Sequence, residues 1–122
     1  MTSRPMKVLL VEENSAVRRV IRYLLTSQET WIQECVDGAD AIAAYAACQP
    51  DFVVMDIGMQ NLDGIATCRQ IKAMDPTARI IFVPDYDDAA LRESTGHAGA
   101  SGYVLKDNLL DIARLLRELS TT

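Results

Sequence analysis

The chain has 122 residues, 49% of them hydrophobic and 24% charged, with 12 Lys+Arg against 17 Asp+Glu and a net charge of −5. One domain of this size buries well over half of its unfolded surface without staples, and the apolar content excludes a disordered chain. An acidic balance without a Lys/Arg cluster argues against direct binding of nucleic acid or anionic membrane. No apolar run approaches a membrane span or a signal-peptide core, so a soluble cytoplasmic protein is expected.

In chain order, Val8-Leu9-Leu10-Val11 reads as a first strand. Val17, Val20, Ile21, Leu24 and Leu25 then form a helical stripe, with Asn14 or Ser15 as its N-cap. Trp31-Ile32, continuing to Cys35, makes a second strand, and Ile42, Tyr45 and Ala46 a second helix ending before Pro50. Phe52-Val53-Val54-Met55 comes next as strand three, and Ile65, Cys68, Ile71 and Lys72 as a third helix ending near Pro76. Ile80-Ile81-Phe82-Val83 is the fourth strand, and a weaker helical stretch runs from about Asp87 to Thr95. Tyr103-Val104-Leu105 is the fifth strand. Leu109, Ile112, Ala113, Leu116 and Leu119 form a last helix capped by Asn108.

Five strand–helix alternations predict an α/β fold of the (βα)5 type: a doubly wound, five-stranded parallel sheet with helices on both faces. The runs at Val8, Phe52 and Ile80 are apolar throughout and suit strands buried on both faces. The second run alternates in its latter part and the fifth is short, so both suit edges. The expected order is 2-1-3-4-5, which places a ligand crevice at the carboxyl ends of the first and third strands.

Those ends carry charge. Strand one runs into Glu12-Glu13, strand three into Asp56, strand four into Pro84-Asp85 and strand five into Lys106-Asp107. Singly, each has a plain structural explanation, such as an acidic residue before a helix N-terminus or a turn residue. Together they converge carboxylates and one ammonium on a single crevice. Carboxylates so placed repel unless a cation intervenes. Oxygen ligands suit Mg²⁺, which works alongside phosphates. A carboxylate flanked by a metal and a lysine is a plausible phosphoryl acceptor.

Other chemistries fit poorly. Cys35, Cys48 and Cys68 form no C-x-x-C pair and read as small apolar residues in a reducing compartment. His97 is the single histidine and sits in the glycine-rich Gly96-His97-Ala98-Gly99, where an exposed loop residue is expected. A histidine metal centre or a Ser-His-Asp triad therefore lacks its residues.

The ordered motifs Val8-Leu9-Leu10-Val11-Glu12-Glu13-Asn14, Pro50 to Met59 around Asp56, Leu62-Asp63-Gly64, and Ala98 to Asp107 resemble a response-regulator receiver domain of the CheY-like, flavodoxin-like fold. The resemblance covers the chain from about residue 7 to 119, within one domain spanning 1–122 and without an output domain. Its last stretch is most similar to receivers of LuxR/NarL-type regulators. The resemblance implies phosphotransfer from a sensor histidine kinase or phosphotransfer protein, signalling by conformational change or homodimerisation, and no enzyme activity beyond the domain's own phosphotransfer and dephosphorylation. Residue by residue, Asp56 matches the phosphoacceptor and Lys106 the lysine that contacts the phosphoryl group. Glu12, Glu13, Asp56 and the carbonyl of Gly58 match the Mg²⁺ ligands, and Tyr103 matches the aromatic switch position.

Three positions depart from that pattern. Pro84 replaces the Thr or Ser whose hydroxyl binds the phosphoryl group, and it supplies neither hydroxyl nor N–H. Beside it, Asp85 would repel an incoming phosphoryl oxygen if it pointed inward. Glu13 is one methylene longer than the usual Asp, which weakens an octahedral Mg²⁺ site. Gln60 stands where a Pro is usual. The leading expectation is a phosphorylatable receiver with weakened signalling. The alternative is an atypical pseudo-receiver acting as a phosphorylation-independent interaction module. A flavodoxin-like ligand binder ranks lower, because Glu12-Glu13 would repel a bound phosphate. So does a small phosphohydrolase, which needs a second acid where Gly58 stands.

Overall fold

The computed structural model describes residues 5–26, 30–59 and 63–120. Its elements in chain order are β1 (Met6–Val11), α1 (Ser15–Leu25), β2 (Thr30–Cys35), α2 (Gly38–Cys48), β3 (Phe52–Met55), α3 (Gly64–Met74), β4 (Ile80–Phe82), α4 (Ala89–His97), β5 (Gly102–Tyr103) and α5 (Ile112–Ser120). The strands form one parallel sheet in the order β2-β1-β3-β4-β5. This is the topology expected from the alternation of strand and helix patterns.

Two apolar layers flank the sheet, and strand alternation assigns each residue to one of them. Leu9, Val11, Val53, Met55, Ile80 and Phe82 pack with Ala41, Ala44 and Tyr45 of α2 and Cys68 and Ile71 of α3. Val8, Leu10, Val54, Ile81 and Val83 face the other way, onto Ile21 and Leu25 of α1 and Ile112 and Leu116 of α5. Covering both faces explains why these central strands show no polar alternation. β2, at the edge, keeps Trp31 and Glu34 exposed.

Helix ends obey local chemistry. Asn14 caps α1, its side-chain oxygen accepting from the N–H groups of Ala16 and Val17 at 2.9 and 3.1 Å. Asp37, Asp63 and Asp88 cap α2, α3 and α4 in the same way. α2 ends on Gln49 in the left-handed region (φ 48°), immediately before Pro50.

The C-terminal region departs from the expected pattern. Lys106–Asp111 forms a 3₁₀ turn with Asn108 off helical geometry (φ −120°, ψ 31°), and α5 begins at Ile112. Asn108 therefore does not cap α5. The apolar stripe from Leu109 misleads because Leu109 packs on the same layer as Ile112 while the chain is still in the turn. α4 also lies two residues later than expected, so His97 is its exposed last residue instead of a loop residue.

Candidate functional site

The sheet brings Glu12 and Asp56 side by side. Glu12 N–H donates to the Cys35 carbonyl at 3.0 Å, extending the β1–β2 ladder one residue, and Asp56 N–H donates to the Val11 carbonyl at 2.9 Å. Both carboxylates are thereby fixed at the C-terminal ends of central strands. Glu12 is 1% exposed and Asp56 5%. Lys106 reaches them from the turn after β5, its N–H donating to the Pro84 carbonyl at 2.9 Å.

Lys106 Nζ lies 3.3 Å from Glu12 Oε1, from Asp56 Oδ1 and from Asp85 Oδ1. One ammonium thus serves three carboxylates. Asp56 Oδ1 also accepts from the Ile57 N–H at 2.8 Å, and Glu12 Oε2 from the Asn14 N–H at 3.2 Å. Glu12 Oε1 is buried without a hydrogen bond of good geometry. Burial, and then the charge of Asp56, raise the Glu12 carboxyl above the usual range, against the opposing pull of Asn14 and Lys106. Burial lowers Lys106, but Asp56 and Glu12 more than offset it, so this lysine stays protonated.

The other expected site residues are more dispersed. Glu13 is exposed, and its backbone carbonyl accepts from Arg18 Nη1 at 3.2 Å. Gly58 is exposed in the loop after β3, while Pro84 is buried at the end of β4. Tyr103 OH donates to the Tyr86 carbonyl at 3.4 Å, and the Arg92 guanidinium stacks 4.3 Å from the Tyr103 ring centroid. Gln60 and Leu62 lie outside the described residues. Gly64, the last residue of the Leu62-Asp63-Gly64 motif, has a packing reason. A Cβ there would stand 2.3 Å from the Asp56 carbonyl oxygen, so only glycine lets α3 begin this close to the end of β3.

Two residues at the site make contacts that the sequence pattern does not reveal. Arg18 donates through Nη1 to the Glu12 carbonyl at 2.7 Å and through Nε to Glu34 at 3.0 Å, binding α1 to the acidic turn. Its place in the turn of α1 after the cap was a hint of proximity, but not of this bond. Arg92 meets Tyr103 only because α4 folds back beside β5.

The donor set suits a hard divalent cation. Every candidate ligand is an oxygen, and Glu12 Oε1 is a buried acceptor lacking a good donor. Among the described residues, however, no three or more His, Cys, Asp or Glu side chains already gather as a metal cage. The buried acids turn toward Lys106 and Glu13 turns to solvent. Glu12, Asp56 and the Gly58 carbonyl are the groups that would hold Mg²⁺, with Glu13 completing the set from outside. When bound, such an ion neutralises charge on a transferring phosphoryl group.

Residues 8–119 match the response regulator receiver domain family, and the chain belongs to it. Among curated relatives, it is 31% identical over 120 residues to the response regulator MprA of Mycolicibacterium vanbaalenii, covering 97% of this chain and 52% of that protein. It is 33% identical over 100 residues to the chemotaxis protein CheY of Halobacterium salinarum, covering 82% and 83%. The chain therefore spans about half the length of the MprA proteins it matches. Among solved structures, the signal receiver domain of NarL from Mycobacterium tuberculosis superposes with a TM-score of 0.88 at 20% identity, covering 98% of both chains. A LuxR-family two-component response regulator from Aurantimonas sp. SI85-9A1 gives 0.82 at 30% identity, covering 96% and 84%. The family acts in two-component signalling, is generally non-enzymatic, works with histidine kinases or phosphotransfer proteins and typically binds Mg²⁺. No helix among the described residues is long and apolar enough to cross a membrane.

Proposed function

We propose that Asp56 accepts a phosphoryl group from the phosphohistidine of a sensor histidine kinase or phosphotransfer protein. The observation that carries this reading is the 3.3 Å pairing of Asp56, at the end of a central strand, with the Lys106 ammonium. In the transfer, an Asp56 carboxylate oxygen forms a bond to phosphorus as the phosphorus–nitrogen bond of the donor breaks. The leaving imidazole keeps the electron pair and takes a proton from solvent. Lys106 offsets the negative charge spread over the transferring oxygens. The Ile57 N–H orients the carboxylate. Hydrolysis of the acyl phosphate then releases inorganic phosphate and resets the site.

Pro84 alters the response to that phosphoryl group. Lacking a hydroxyl, it cannot draw the loop after β4 inward, so the pull expected of the family pattern is absent. A second reading, a phosphorylation-independent interaction module with homodimerising faces, draws support from Pro84 and from the exposure of Glu13. Incubation with acetyl phosphate and Mg²⁺ separates the two. The first reading expects one added phosphoryl group by intact mass, lost in Asp56→Asn. The absence of any adduct in the wild type favours the second.

A further inference from the structure

The segment Pro84–Asp88 joins β4 to α4. The Pro84 carbonyl is fixed by the Lys106 N–H, and Asp88 caps α4 through the Leu91 N–H at 3.1 Å. Between these points, Asp85 Oδ1 reaches Lys106 Nζ, and the Tyr86 carbonyl accepts from Tyr103 OH. Asp87 pairs with Arg92 at 2.9 Å, and Arg92 stacks on the Tyr103 ring. A continuous chain of contacts therefore runs from Lys106 through the loop to Tyr103.

Of the three carboxylates on Lys106, Asp85 alone is free to leave. Glu12 and Asp56 are buried at strand ends, with side chains 1% and 7% exposed, whereas the Asp85 side chain is 63% exposed. Asp85 is already largely hydrated, so it can leave Lys106 without a change of medium, whereas Glu12 and Asp56 are enclosed at the strand ends. The carboxylate also sits beside the position that a phosphoryl group on Asp56 would share with Lys106.

We propose that Asp85 is an internal tether which holds the β4–α4 loop against Lys106 while Asp56 is unmodified and is expelled when Asp56 is phosphorylated. This rests on Asp56 being the acceptor, and it gives the domain a switch that needs no hydroxyl at Pro84. Phosphorylation turns the singly charged Asp56 carboxylate into an acyl phosphate with nearly two negative charges, carried on oxygens that extend beyond the carboxylate. The phosphoryl group attracts Lys106 and repels Asp85, so it interacts differently with the tethered and released loops, as any ligand that shifts an equilibrium must. Release carries the Tyr86 carbonyl away from Tyr103 and frees the Tyr103 hydroxyl. The loop moves outward on phosphorylation, opposite to a loop drawn in by a hydroxyl.

The test compares wild type with Asp85→Asn by amide and ring-proton chemical shifts, each with Mg²⁺ alone and with Mg²⁺ plus beryllofluoride. Readouts are the Leu91 and Tyr103 amides and the Tyr103 ring, away from the substituted residue; the Ile57 amide reports occupancy at Asp56. In the unmodified protein, Asp85→Asn should shift Leu91 and Tyr103 in the direction that beryllofluoride shifts the wild type. Beryllofluoride should then add little at those positions in Asp85→Asn. Leu91 and Tyr103 signals unmoved by Asp85→Asn overturn the tether, and Asp85→Ala provides the same comparison without an amide able to donate or accept. An Ile57 response to beryllofluoride without one at Tyr103 overturns the release. No Ile57 response in either protein, together with no acetyl phosphate adduct, removes the acceptor reading and the proposed trigger with it, while the Asp85→Asn comparison still decides the tether.

Discussion

Lys106 Nζ stands 3.3 Å from Asp85 Oδ1, the same distance that separates it from Asp56 Oδ1. The two carboxylates come from opposite kinds of structure. Asp56 ends a buried strand and Asp85 lies in an exposed bend. A single ammonium therefore links the buried floor of the site to its exposed wall, and the charge balance around that ammonium decides how the site behaves.

Removing the ammonium should expose that balance. Lys106→Met leaves Glu12 and Asp56 buried next to each other without their shared cation. A loss of about 1–3 kcal/mol in denaturant-derived stability is expected, the usual cost of stranding a buried polar group. Adding Glu12→Gln should recover part of it, with a departure from additivity above about 0.5 kcal/mol. Strictly additive effects would mean that Lys106 does not neutralise Glu12.

Glycines near Asp56 should behave unequally. Gly64→Ala drives a Cβ into the Asp56 carbonyl oxygen and Ile57 Cα, both backbone atoms that cannot easily yield. Overpacking of this kind costs about 1–3 kcal/mol. Gly58→Ala meets nothing within 4 Å and should stay within about 0.5 kcal/mol of wild type. Thermal or chemical unfolding of the two variants checks the contrast.

Metal affinity should depend on Glu13. Its longer side chain stands exposed, outside the group around Lys106. Glu13→Asp is expected to tighten Mg²⁺ binding measured by calorimetry, and removal of Mg²⁺ with a chelator should slow labelling by acetyl phosphate in both proteins. Equal affinities would place the weakness elsewhere in the ligand set.

Away from the site, Tyr45 OH donates to Asp75 Oδ2 at 2.7 Å, and Asp75 Oδ1 accepts from the Thr77 hydroxyl and N–H. The Thr77 hydroxyl, and after it Tyr45, holds the Asp75 carboxyl below its usual 3.8. A depressed carboxyl contributes stability present above its unfolded value and lost as pH falls through the folded one. Tyr45→Phe should move the Asp75 titration upward and reduce the acid-dependent part of stability below about pH 4. An unchanged Asp75 titration by NMR would show that Thr77 alone holds it.

How much of the fold and site was legible in the sequence depends on the kind of force involved. Val8–Val11, Phe52–Met55 and Ile80–Val83 are hydrophobic at every position because both faces are covered, so composition alone pointed to their central places. The convergence of Glu12, Asp56, Asp85 and Lys106 came from topology, since parallel strands place their carboxyl ends together. The inward aim of Asp85 was not legible, because a side chain in a bend has no periodicity to reveal its direction. The same holds for Arg18 and Arg92, whose long side chains reach partners set by packing between elements. Asn108 misled because its residue type suits a cap, while a 3₁₀ turn preceding α5 has no hydrophobic period of its own.

Chemical location of the phosphoryl group tests the acceptor assignment most directly. After exposure to acetyl phosphate and Mg²⁺, borohydride reduces an acyl phosphate to an alcohol, which peptide mass spectrometry can place on the chain. Reduction is predicted at Asp56 alone, leaving Glu12, Glu13 and Asp85 intact. Reduction at any of those three carboxylates instead, or a phosphorylated protein with Asp56 unreduced, would contradict the assignment.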